Sequence, residues 1–191
     1  MTIAYPLRRV LTVTAAAALL PLAACSDNSD QADSDKSATS APSGNTLAEA
    51  LSKQDSLSTL SGALRDTGLS QVFDSAGSYT VFAPTNDAFA RLGDAGDALQ
   101  QPDQRAVLAA VLRDHIVPGY LTPDDIGTAI DTQGGRVKVQ TMGDHKLTFT
   151  RDGDSYRVAA EDGSSATIAG DATTASNGVA IPLDGVLKKL P

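Results

Sequence analysis

Tyr79-Thr80-Val81-Phe82-Ala83-Pro84-Thr85-Asn86-Asp87-Ala88-Phe89 carries the chain from a strand into a helix. Tyr79 to Ala83 is aromatic and β-branched, which predicts a strand, and Pro84 ends it by withholding a backbone donor. Side chains alternate along a strand, so Val81 and its neighbours Thr80 and Phe82 point to opposite faces. Thr85 then stands as the cap of a short helix holding Asp87, Ala88, Phe89 and Leu92. There Thr85, Asn86 or Asp87 can satisfy the first free N–H groups. A block of this kind reports packing rather than a ligand site.

On the N-terminal side the pattern is helical. Thr46 can cap Leu47–Leu51, with Glu49 three residues on in a capping-box position. Ser56 to Leu60 opens a second helix, with Leu57, Leu60 and Leu64 on one face and Gly68 as its stop. Gln71 to Asp74 is too short to assign. On the C-terminal side, Gln104–Arg113 reads as a third helix, with Val107, Leu108, Val111 and Leu112 on one stripe and Pro102 near its start. Strands follow at Val137–Val139, Leu147–Thr150 and Tyr156–Val158, with Asp152-Gly153 as a tight turn between the last two. Thr167-Ile168 and Val179 to Leu187 add two more. Pro182 removes a donor, so its strand is expected at an edge or with a bulge. Helices first and strands last predict an α+β fold.

The first residues read as an address. Arg8 and Arg9 precede an apolar run from Val10 to Leu22, the length of a signal-peptide core and too short to span a membrane. Leu22-Ala23-Ala24-Cys25 resembles the bacterial lipobox, with cleavage between Ala24 and Cys25. Cys25 is the chain's one cysteine and the expected lipidation site. Ser26 to Asn45 is rich in Ser and Asp and lacks Val, Ile, Leu, Met and aromatics, so it is expected to be a disordered tether. Such a coil holds its two ends roughly 25 Å apart on average. The expected organisation is therefore a signal peptide at 1–24, lipidated Cys25 and an acidic tether at 25–45, and one folded domain at 46–191.

Composition narrows the function. Fifteen basic residues against 23 acidic ones leave a net charge of −8, and there is no Trp and no basic stripe, so nucleic acid is not an expected partner. Two His and one Cys cannot build a Cys/His zinc site, and one Cys cannot form an internal disulfide.

The quoted block, from Thr80, Val81, Phe82, Ala83 and Pro84 through Thr85, Asn86 and Asp87 to Phe89, resembles the first signature of the fasciclin (FAS1) domain family. Asp114-His115-Ile116-Val117-Pro118-Gly119 resembles its central block, with Asp114 where the family usually carries Tyr. Asn177-Gly178-Val179, continuing through Asp184-Gly185-Val186-Leu187 to Pro191, resembles its closing block. Ala180-Ile181-Pro182-Leu183 there replaces a more usual Ile-His-Val-Ile run. The order of lipobox, tether and single domain is similar to that of mycobacterial cell-surface fasciclin lipoproteins. The resemblance implies a wedge-shaped β-sandwich with packed helices and a non-enzymatic adhesion or binding role. Ala172-Thr173 stands where animal adhesive members often carry Asp-Ile, so integrin recognition is not carried over.

Reaction chemistry has little support. His115 follows an apolar helix and reads as a core histidine bonded to backbone, and His145 lies in a polar turn and reads as solvated. No Gly-x-Ser-x-Gly elbow, His-Glu-x-x-His run or phosphate-binding glycine loop occurs. Asp124-Asp125 after Thr122 reads as favourable charge at a helix start. Asp152-Gly153-Asp154 reads as a turn rather than a calcium loop, and Lys188-Lys189 as a solvated end. No enzyme activity, metal or cofactor is expected. The expected function is adhesion, or protein or glycan binding, at a bacterial envelope. The chain would be membrane-bound through Cys25, on the outer side of the cytoplasmic membrane or at the cell surface. The alternative is a carrier or sensor of a small lipophilic ligand held between helices and sheet, and a third class is a hydrolase using acidic residues. Loops near Gly93–Gly96 and Gly134-Gly135 are among the candidate binding surfaces.

Overall fold

Two apolar cores on opposite faces of one sheet organise the domain. The computed structural model of the chain describes residues 44–74 and 77–190. The expected signal peptide, the cleavage position at Ala24, the lipidation site at Cys25 and all but the end of the expected tether lie outside the described residues.

The folded part opens with helices α1 (Leu47–Ser52) and α2 (Ser58–Asp66), the second entered through a 3-10 turn at Asp55–Leu57. Thr46 Oγ1 accepts from the Glu49 N–H at 3.3 Å and so caps α1. Helix α2 has no side-chain cap of its own. Asn86 supplies one from a distance, its Oδ1 accepting from Thr59 N at 3.0 Å. Leu57, Leu60 and Leu64 are buried as their spacing predicts. Gly68, at φ 74°, ends the helix in a conformation that glycine adopts without steric cost. A 3-10 turn at Leu69–Asp74 follows.

Strand β1 (Tyr79–Pro84) leads into helix α3 (Asn86–Ala90), where Thr85 Oγ1 accepts from Ala88 N at 3.2 Å. Helix α4 (Asp94–Leu99) was not legible in the sequence, and it takes in part of the Gly93–Gly96 stretch expected as a loop. Burial of Leu99 outweighs the poor helix propensity of Gly96. Helix α5 (Arg105–Asp114), short strand β2 (Ile116–Pro118) and helix α6 (Pro123–Thr132) come next. Helix α6 starts with a full capping box: Thr122 Oγ1 accepts from Asp125 N at 3.2 Å, and Asp125 Oδ2 accepts from Thr122 N at 2.9 Å.

Four strands then form an antiparallel meander: β3 (Arg136–Gln140), β4 (Lys146–Asp152), β5 (Ser155–Ala160) and β6 (Ser165–Thr167). Asp152 pairs with Ser155, so the β4–β5 turn is centred on Gly153-Asp154, one residue later than the expected pair. Gly153 has φ 59°, the sign a type II′ turn needs at its first position. Strands β7 (Thr173–Ala175) and β8 (Gly178–Leu183) complete a second sheet in the order β2-β1-β8-β7, in which β1 and β8 run parallel. Helices and two mostly antiparallel sheets make the fold α+β.

Strand β1 serves both cores because its side chains alternate. Val81 and Ala83 belong to the core shared with α1, α2 and α5. Phe82 belongs to the core between the sheets, with Ile181 of β8, Phe149 of β4, Val158 of β5 and Ile126 and Ile130 of α6. Among the described residues, no helix is long and apolar enough to cross a membrane.

Two expectations need correction. Strand β8 is interior, not an edge. Leu183 O accepts from Thr85 N at 3.0 Å on the β1 side, so the backbone groups of Pro182 face the other way. There β7 has stopped pairing at Ala180, and the Pro182 carbonyl accepts from Ala169 N at 2.9 Å. The missing donor thus falls where no ladder partner needs it. Val107, grouped with Leu108, Val111 and Leu112 as one stripe, is 48% exposed while the other three are buried. One residue is about 100° of helix rotation, which places Val107 at the rim of the buried arc.

Candidate functional site

The family-signature side chains lie where elements join. Thr80 is buried; its Oγ1 donates to Gly119 O at 2.8 Å and accepts from Leu121 N at 2.8 Å, fixing the passage from β2 to α6. Asn86 Nδ2 donates to Asp55 O at 2.7 Å and to Ser58 Oγ at 3.0 Å, beside the cap it provides for α2. Asn177 Oδ1 accepts from Leu47 N at 2.8 Å, and its Nδ2 donates to Phe73 O. Gly178 lies so close to the Tyr79 carbonyl and Leu47 that a Cβ would collide with both. Asp184 Oδ1 accepts from Thr167 N at 2.7 Å. Pro84 and Phe89 are buried, and Asp87 is exposed in the first turn of α3. These residues hold the framework and do not converge on one cleft.

The central block divides at the end of α5, where consecutive side chains serve different partners. His115 is buried, with Nδ1 2.8 Å from Val111 O and Nε2 accepting from Leu187 N at 2.9 Å. Those partners assign the neutral Nδ1–H tautomer. It ties α5 to the C-terminal segment, which Asp162 Oδ2 also holds by accepting from Lys189 N at 2.8 Å. Asp114 instead meets His145, with Oδ1 2.7 Å from Nδ1 and side-chain exposures of 9% and 52%. His145 is therefore not simply solvated, as its polar turn had implied.

The Asp114–His145 pair clasps the β3–β4 loop onto α5. His145 O accepts from Thr141 N at 2.8 Å and Thr141 Oγ1 at 2.9 Å, and Met142 N donates to Ile116 O at 2.8 Å. A Cβ at Gly143 would strike the Asp114 carboxylate, so the close approach requires glycine there. A carboxylate at a helix C-terminus opposes the helix dipole, and the imidazole opposite compensates.

Two surface troughs flank this clasp. One, of about 280 Å³, includes Leu147, Ala160, Asp162 and Leu187. The other, of about 540 Å³, runs between the outer face of α5 (Ala106, Val107, Ala110, Arg113) and the loop around Met142. Asp114, His145 and Lys188 line both. The larger trough lies on the outside of α5, not between helices and sheet where a lipophilic ligand had been expected. The pairing of Asp114 and His145 spans 31 residues without any motif spacing. The one signal for it was Asp114 standing in an aromatic position.

The two histidines are shifted in opposite directions. Burial pushes the His115 imidazole below its ordinary value, against the Val111 carbonyl and the Asp114 and Asp162 charges, which favour the proton. The unfolded chain then binds the proton better, so this contribution to stability is present above the ordinary histidine value and lost as pH falls toward the lowered one. The hydrogen bond and charge of Asp114 raise His145, with Glu161 assisting and Lys188 opposing. Its contribution is present at acid pH and lost as pH rises through the raised value. Because His145 is half-exposed, the pair is worth less than about 1 kcal/mol. The His115 effect therefore dominates, with a slope of at most about 1.4 kcal/mol per pH unit. Urea midpoints should fall between pH 7 and pH 5, and His115→Gln should flatten that fall while lowering stability throughout. An unchanged slope in the variant would remove His115 as its source. The lowered carboxyls act further into acid: Asp125 is held down by the Thr122 side chain and backbone. Burial works to raise Asp162, but bonds from Ser164 and Lys189 together bring it below the usual carboxylate range.

Among the described residues, no group of three or more His, Cys, Asp or Glu is placed to hold a metal ion. A sequence profile described as the fasciclin domain matches residues 55–189. Protein sll1483 of Synechocystis sp. is 33% identical over 144 residues, covering 74% of this chain and 72% of that protein. The immunogenic protein MPB70 of Mycobacterium bovis is 33% identical over 146 residues, covering 74% of this chain and 67% of that protein. Among solved structures, a FAS1 domain pair from the insect cell adhesion molecule fasciclin I superposes with a TM-score of 0.67 at 15% identity. That match covers 76% of this chain and 51% of the other, about half its length, and is a likeness of fold.

Proposed function

Since this chain belongs to the fasciclin domain family, we propose that it acts by binding at the bacterial envelope, as a non-catalytic module anchored through lipidated Cys25. Fasciclin domains are generally non-enzymatic and serve adhesion-related roles, which supports the binding half of the reading. The observation that carries it is the outward face of α5, where Val107 stands 48% exposed beside the clasped loop. There Ala106, Val107, Ala110 and Met142 line one trough rimmed by Arg113, Asp144 and Lys188, and a contiguous exposed apolar patch with a polar rim marks an interaction site, which an isolated side chain does not. The lipobox-like Leu22-Ala23-Ala24-Cys25 supports the anchor, and the tether sequence supports reach to a surface protein or an envelope glycan.

Two measurements test this reading. Mass spectrometry of the native N-terminus should find an acylated Cys25, and Cys25→Ser should move the chain out of the membrane fraction. An unmodified residue 25 overturns the anchor. Purified envelope glycan and surface proteins, titrated against the chain, should include a saturable partner whose binding Val107→Asp weakens. No saturable partner, or turnover of a substrate, overturns the binding module. A second reading, the carrier or sensor of a small lipophilic ligand, is favoured by the 540 Å³ trough, which is within the range of small-molecule sites.

A further inference from the structure

Helix α5 is apolar on both sides. Leu108, Val111 and Leu112 face the core, yet the outward side carries Ala106, Val107 and Ala110 where a surface helix ordinarily carries polar residues. Met142, half-buried on the opposite loop, makes the facing wall of the trough. The apolar strip has a polar end. Arg113 follows Ala106 and Ala110 on the same helix face, and Lys188 and His145 line the trough beside it. Of the acids there, Asp114 is engaged by His145, while Asp144 stands exposed in the β3–β4 loop. The lining sets Arg113 and Lys188 against Asp114 and Asp144, close to neutral on a chain of net charge −8, and Asp114 is already engaged by His145. The strip from Ala106 to Arg113 is about 10 Å long, on the scale of one short alkyl chain.

Resting on the second reading above, we infer that the trough between α5 and the β3–β4 loop binds an anionic amphiphile. A single alkyl chain lies along Ala106, Val107, Ala110 and Met142, and its carboxylate or phosphate head meets Arg113 and Lys188. The clasp between Asp114 and His145 holds the loop wall against α5, so the trough exists before the ligand arrives. The other troughs lack this combination. The one between α1, α2 and the Leu69–Asp74 turn sets Glu49 and Asp74 against Arg65, and the one between α2 and Gln100–Arg105 is lined mainly by polar side chains.

The test uses the isotope-labelled full chain carrying Cys25→Ser, so that no acyl group of its own competes. It is titrated below micellar concentrations with decanoate, decyl phosphate, decanol and decyltrimethylammonium, and followed by backbone amide shifts. Decanoate or decyl phosphate should saturate, with shifts concentrated at 106–113, 142–145 and 188. The stronger of these two arms tells a fatty-acid head from a lipid phosphate. The cationic amphiphile should bind about tenfold more weakly, a difference of about 1.4 kcal/mol. Going from octyl to decyl phosphate should tighten binding by about two- to fourfold per methylene. Val107→Asp should abolish saturation, and Lys188→Gln should weaken the anionic probes about fivefold while leaving decanol unchanged. Equal affinity for the cationic and anionic probes, or shifts spread away from α5, would overturn the inference. If decanol saturates at 106–113 and the anionic probes bind no more tightly than it does, this inference fails and the small-ligand reading stands. If no amphiphile binds, both fail.

Discussion

Phe82→Ala lowers the free energy of unfolding by about 3–5 kcal/mol. Phe82 is wholly buried in β1, between β2 and β8, and its side chain projects into the core between the sheets. Its ring centroid lies 4.9 Å from that of Phe149 in the opposite sheet, tilted by 44°. Truncation removes the ring's burial and leaves a cavity that hydrogen-bonded strands on both sides cannot collapse to fill. A domain of this size has about 5–15 kcal/mol to lose, so the variant sits near the edge of folding at ambient temperature. Urea unfolding followed by far-ultraviolet circular dichroism measures the loss. A loss below about 1 kcal/mol would mean that Phe82 does not bridge the two sheets.

Asn177→Ala costs about 2–4 kcal/mol, because it leaves two backbone groups without partners. The side chain accepts from Leu47 N at the start of α1 and donates to Phe73 O at the end of the 3-10 turn, while the Asn177 carbonyl accepts from Tyr79 N at 3.1 Å. One residue thus joins α1, the Leu69–Asp74 turn and β1. Amide exchange should quicken first in α1, ahead of the sheet, because Leu47 N is released directly. Asn177→Asp keeps the acceptor for Leu47 and loses the donor to Phe73, so it should restore protection in α1 more than stability overall. Uniform loss of protection across the domain would refute this placement of Asn177.

Both residues fall within blocks that the sequence marks, and the reason for marking them is visible in their neighbours. Thr85 caps α3 from the position before it, and Thr122 with Asp125 closes a box within four residues. The alternation of Val81 and Phe82 needs only the geometry of a strand. Helix α4 leaves no pattern in the sequence because its one deeply buried large side chain, Leu99, lies at its end and Gly96 lies inside it. Strands β2 and β7, three residues each, are too short to show a period and exist because longer strands offer them partners.

The candidate site was less legible than the fold. Val107 is apolar like its neighbours, and the neighbours alone could not say on which side of the arc the core would end. Asp114 and His145 look unrelated until the β3–β4 loop docks against α5. Lys188, read as a solvated end, borders the same trough because His115 and Asp162 hold the last segment across the domain.

From its amino acids alone this chain declared its caps, its turns, the two-faced strand at Tyr79–Pro84, the family to which it belongs and the absence of the common catalytic motifs. Those properties depend on interactions within a few residues, or on a pattern repeated along one element. Tertiary structure decided the parallel pairing of β1 with β8, the interior place of Pro182, the cap that Asn86 lends to α2, the clasp of Asp114 on His145 and the outward turn of Val107. Each of these joins groups distant in sequence or depends on which side of an element is covered. Their energies come from burial and geometry that exist only once the helices and both sheets have packed.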